Sequence, residues 1–172
     1  MEIDEAVAKH VLGLLLVESL PAIGLQALEA GRDTPSLRQL AGAERDSPDE
    51  IQRLFIGWVG EAGLRVPTPL EAAMFLATVI AKAVLAGSMT PYEGARQIWD
   101  EIYGRLPDIP ELTPFVCLAS DYEGHEEHRD AYSSGIVEQC RRLVQLHRCS
   151  WPTTTEKTAG HAVKAAKETR KM

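Results

Sequence analysis

An all-α fold is predicted by three features of the sequence. A helix-start spelling recurs as SPDE at Ser47, TPLE at Thr68 and TPYE at Thr90, with weaker copies at Thr34 and Thr113. The intervals between these marks carry apolar residues at helical spacing. Nothing in the chain alternates with the period of a strand. These features predict a single compact bundle of six to seven helices around a buried central helix at about 68–86. The globular domain is expected over 1–148, and 149–172 is expected to form a flexible, disordered tail that is polar and lysine-bearing.

Each letter of the start spelling has a physical role. The Ser or Thr oxygen accepts from a free amide of the first turn. Proline at the first helical position loses no hydrogen bond and already holds a helical φ. Glu three residues after the cap reaches back to the cap amide and suits the positive helix end. Ser47/Glu50, Thr68/Glu71 and Thr90/Glu93 therefore read as capping boxes. Gly31, Gly42, Gly63, Gly87 and Gly104 stand where helical patterns end.

Taken in order, a first helix is expected over about 3–18, a second from Pro21 to Gly31, and a short third over Pro35–Ala41. After Ser47, Ile51, Leu54, Phe55, Trp58, Val59 and Ala62 form one face. The helix from Thr68 is apolar nearly all round through Met74, Phe75, Leu76, Val79, Ile80, Val84 and Leu85, which marks a buried helix. After Thr90 the stripe is Ala95, Ile98, Trp99, Ile102 and Tyr103. A short helix follows Thr113 through Phe115 and Leu118. A long one covers about 126–148 with Tyr132, Ile136, Cys140, Leu143 and His147 as its inner stripe. His10 lies beside Val7, Val11 and Leu14 and reads as a hydrogen-bonded core residue, and Trp58, Trp99 and Tyr103 read as core packing.

The charge is −7 over the whole chain, but it is uneven. Residues 1–148 hold 13 Lys/Arg against 23 Asp/Glu, while the tail is basic. An acidic body argues against binding a phosphate backbone and suits a basic protein partner. The apolar run VLGLLLV at 11–17 is too short to span a membrane, and the acidic residues before it are unlike a secretory signal. Cytoplasmic location and no membrane partner are the expectation. Cys117, Cys140 and Cys149 form an odd set without CxxC spacing, which reads as reduced thiols, with Cys117 and Cys140 packed as small hydrophobes.

Chemistry is sparse. There is no GxSxG, no glycine-rich phosphate loop and no cysteine in a catalytic context, so no catalytic residues and no cofactors are expected. The densest titratable stretch is DYEGHEEHRD at 121–130. Asp121, Glu123, His125 and His128 could supply metal ligands, because His at i and i+3 shares a helical face. The spacing HEEH is not the HExxH of zinc hydrolases. Solvated acids at a helix start, where the dipole favours them, account for the same letters. The stretch SLRQLAGAERDSPDEIQRLF has a helix-turn-helix rhythm, but its second helix would enter the groove with Asp49 and Glu50 first. The leading expectation is a non-enzymatic interaction module of accessory, regulatory or immunity type that binds another protein through an acidic surface. A metal-dependent enzyme at 121–130 and a DNA-binding regulator are the alternatives.

Two stretches, LPAIGLQALEAGRDTPSLRQLAG at 20–42 and TPYEGARQIWDEI with LTPFVCLASDYEGHEEHRDAY at 90–132, resemble a group of small, soluble, all-helical bacterial proteins, common in actinobacteria, that lack an assigned function. The similarity spans most of 20–146 and leaves out the tail. It implies an all-helical fold and a bacterial cytoplasmic setting, and carries no catalytic residue over.

Overall fold

Four glycines divide the chain where local chemistry stops four of its helices. A computed structural model describes residues 3–146. Helix α1 (Ile3–Val11) ends at Gly13, which holds φ +65°. The amide of Leu14 donates to Lys9 O at 2.8 Å and that of Gly13 to His10 O at 3.0 Å, a Schellman close. Helix one is thus shorter than its apolar run suggested. The continuous VLGLLLV reads as one helix, but only a residue without Cβ takes this left-handed position cheaply. The same closing pair of bonds recurs at Gly31, Gly63 and Gly87, also at positive φ.

A 3-10 turn (Val17–Ser19) leads into α2 (Leu20–Glu29), followed by α3 (Pro35–Ala41), α4 (Pro48–Glu61) and α5 (Pro69–Leu85). Helix α6 (Pro91–Gln97) continues into a π-helical turn (Ile98–Tyr103). Helix α7 (Thr113–Gly124), a 3-10 turn (Glu126–His128) and α8 (Arg129–Leu146) complete the described residues, which contain eight α-helices and no strand. The tail, His147, Cys149 and Trp151 lie outside the described residues.

The caps follow the spelling with two exceptions. Complete capping boxes start α5 at Thr68/Glu71 and α6 at Thr90/Glu93. At α4 only half of the box forms. Ser47 accepts from the Glu50 amide at 3.4 Å, but the Glu50 carboxylate turns to Arg53. A guanidinium three residues on outcompetes a backbone amide for the same oxygens. Thr113 does not cap α7. It is the first residue of that helix, and its hydroxyl donates back to Ile109 O at 3.2 Å.

Helix α5 is the buried helix. Ala72, Ala73, Leu76, Ala77, Ile80, Ala81 and Val84 are all buried, and α1, α6, the π-helical turn and α8 pack against it. Its alanines allow close approach. A Cβ on Gly94 of α6 would lie 2.3 Å from Val84 Cγ2. Helices α2, α3 and α4 pack on one another, and α1 meets α4 where His10 faces Phe55 at 4.8 Å. The buried apolar residues form one continuous core. Trp58 is fully buried, whereas Trp99 and Tyr103 are only half-buried against the core. No hydrogen bond links the half-buried His10 ring to another described group, unlike the bonded core histidine expected. Cys140 is buried, but Cys117 is exposed on α7, contrary to its apolar sequence neighbours. Among the described residues no helix is long and apolar enough to cross a membrane.

Candidate functional site

Helix α7 ends at Gly124 because His125 leaves the helical region (φ −135°, ψ 88°), and a 3-10 turn then redirects the chain into α8. This corner carries the four residues named in the alternative reading as metal ligands. Asp121, Glu123, His125 and His128 are all exposed. The structure does not assemble them into a ligand set, and among the described residues no three His, Cys, Asp or Glu side chains are grouped to hold a metal ion.

The local contacts explain this. The Tyr92 hydroxyl donates to Glu123 Oε1 at 2.6 Å, and Arg96 approaches the same oxygen at 3.4 Å. The Glu123 carboxylate is therefore committed to α6. It raises the Tyr92 pKa, chiefly because the phenol donates to a carboxylate. His125 Nδ1 lies 3.2 Å from the backbone oxygen of Asp121, not from its carboxylate. The His125 and His128 rings both lie near Tyr132, at 6.1 and 6.5 Å between centroids.

Beneath this charge lies an aromatic platform. Tyr92 and Tyr122 stack at 4.4 Å and 15°. The Arg129 guanidinium lies 5.1 Å from the Tyr122 ring centre, and its Nε donates to Tyr122 O at 3.4 Å. Arg96 sits 4.6 Å from the centre of the Trp99 ring and pairs with Asp100 at 3.0 Å. The platform joins α6, the π-helical turn, α7 and α8. Its contacts join residues up to 31 positions apart, so no local spacing could announce it.

Charge is distributed unevenly over the described surface. Twelve Lys/Arg face twenty-two Asp/Glu over 3–146. Lys9, Arg38, Arg53, Arg65, Arg96, Arg129, Arg141 and Arg142 are all held in ion pairs. Asp121, Glu127 and Asp130 at the α7–α8 corner, Glu44 and Asp46 between α3 and α4, and Asp49 at the start of α4 are exposed and form no ion pair with a described residue. Asp49, with Glu50, occupies the first turn of α4, the end that a helix-turn-helix would offer to DNA.

A second feature lies in the first half of the chain. A cleft of about 120 Å³ opens between α1, α2 and α4, bounded by Ile3, Ile23, Ala27 and Trp58, with Gln26 and Arg32 among its polar residues. Comparison with protein families, with curated proteins and with solved structures finds no match to this chain.

Proposed function

We propose that this protein is a non-enzymatic interaction module, of accessory, regulatory or immunity type, that binds a basic segment of another protein through its acidic surface. One observation supports the reading above the rest: among the described residues most cations are already held in ion pairs, while carboxylates at the α7–α8 corner and the α3–α4 turn stand exposed with no ion pair to a described residue. Exposed negative charge steers an oppositely charged partner and selects against acidic ones. The resemblance to actinobacterial helical proteins is compatible with a cytoplasmic accessory role.

The test is affinity capture from the source cell, with the full chain as bait and a salt series. Charge reversal of Asp121, Glu127 and Asp130 to Lys is run in parallel. A basic partner should be held at low ionic strength and released as screening shortens to about 8–10 Å near physiological salt and below. The reversed variant should fold normally and lose that partner. Failure to recover any partner, or recovery indifferent to this charge reversal, overturns the reading.

A further inference from the structure

We propose that the cleft between α1, α2 and α4 binds a small monocarboxylate bearing a short branched apolar group. This goes beyond the acidic surface, from which it is independent. The apolar boundary comes from Ile3, Ile23 and Trp58, all buried. Ala27 on α2 and Ala30 at its C-cap are too short to fill the space they face. The volume of about 120 Å³ is somewhat below that of an engineered cavity, about 150 Å³, that holds benzene. An alkyl group of a few carbons fits, and a larger ring does not.

The polar features ask for an acceptor. Trp58 Nε1 is buried and has no hydrogen-bond partner, the one such side-chain atom among the described residues. Buried donors without acceptors are rare and costly in native structures. The Arg32 side chain, exposed at the cleft, forms no ion pair or hydrogen bond with any described residue, whereas most other described arginines are paired. A guanidinium binds a carboxylate through two parallel bonds, and an indole N–H donates to a carboxylate oxygen. A carboxylate accepts from donors of both kinds, and the apolar wall selects what it is attached to.

The probe is isobutyrate, titrated into the full-length protein while the indole N–H resonances are followed by nitrogen–proton correlation NMR. Isobutanol serves as the uncharged control. The Trp58 signal should move on saturation with isobutyrate and stay in place with isobutanol. Arg32→Gln should weaken binding by about tenfold, the loss expected for one charge-assisted contact. Ala27→Leu, which fills the cleft but keeps Arg32, should abolish the response. Both variants should retain the dispersed amide spectrum of the parent. A Trp58 signal unmoved by isobutyrate, equal responses to the acid and the alcohol, or an Arg32→Gln variant that binds as well as the parent would each overturn the proposal.

Discussion

The His10 ring lies 4.8 Å from Phe55 and is half-buried between α1 and α4. Burial lowers its pKa below the ordinary 6.5, because desolvation disfavours the imidazolium. The unfolded chain therefore binds this proton more readily than the native one. Stability from this residue is fully present above pH 6.5 and is lost as pH falls from there through the native value. One proton tilts stability by at most about 1.4 kcal/mol per pH unit. Denaturant midpoints measured from about pH 7.5 down to about pH 5.5, the span in which histidine changes charge, should fall, and His10→Asn should flatten the fall. An unchanged slope in that variant would mean that the ring is solvated. The thiols offer a second residue-scale contrast. Burial pushes the Cys140 thiol up to about 11, whereas Cys117 is exposed. Iodoacetamide at about pH 8, near the ordinary thiol range, should modify Cys117 in the native protein and Cys140 only after unfolding, as read by peptide mapping. The sequence misled at Cys117 because its apolar neighbours Phe115 and Val116 suggested a core stripe. On α7 the buried positions are Phe115 and Ala119, four apart, and Cys117 falls on the opposite side.

At the scale of elements, the contact of α5 with α6 rests on an absence of side chain. Adding a methyl at Gly94 would place it 2.3 Å from Val84 Cγ2, and Val84 is buried and β-branched, with few rotamers to escape into. Overpacking of this kind costs about 1–3 kcal/mol, more than the roughly 0.5–1 kcal/mol that alanine gains over glycine within a helix. Gly94→Ala should therefore lower stability in chemical denaturation. Gly60→Ala in α4 is the internal control, because its Cβ meets nothing within 4 Å, and it should raise stability by about 0.5–1 kcal/mol. If both substitutions act alike, helix propensity and not packing governs these sites. Helix starts were legible in the sequence because capping is local: Thr34, Ser47, Thr68 and Thr90 each precede a helix at the expected place. The close of α1 at Gly13 was not, since an apolar run hides a Schellman turn that only backbone geometry reveals. The π-helical turn at 98–103 was equally invisible, because its apolar spacing mimics an α-helix. The candidate metal residues were legible as letters but not as a site, because Tyr92 and Arg96, which take up the Glu123 carboxylate, lie about thirty residues upstream.

Across the whole molecule, two groups of helices share one core. Helices α2, α3 and α4 pack together, α5 to α8 pack together, and α1 touches both through α5 and the His10–Phe55 contact. A single continuous set of buried side chains runs through all of them, from Leu37 and Leu40 to Ile136 and Leu143. Neither group closes its apolar faces alone, so α1 couples them instead of bridging two independent domains. Small domains with one core unfold in an all-or-none step. The tryptophans test this directly, because Trp58 lies buried in α4 and Trp99 lies in the π-helical turn after α6. With Trp151 replaced by Phe, Trp58→Phe leaves Trp99 as reporter and Trp99→Phe leaves Trp58. Each variant's fluorescence midpoint in urea should coincide with its own far-ultraviolet circular dichroism midpoint. Val7→Ala on α1, a deletion of two buried methyl groups, should shift both reporters equally, by about 1–3 kcal/mol. If Trp58 and Trp99 instead reported separate transitions, or if Val7→Ala moved only one of them, the two helix groups would fold independently and the shared core would be no more than contact between neighbours.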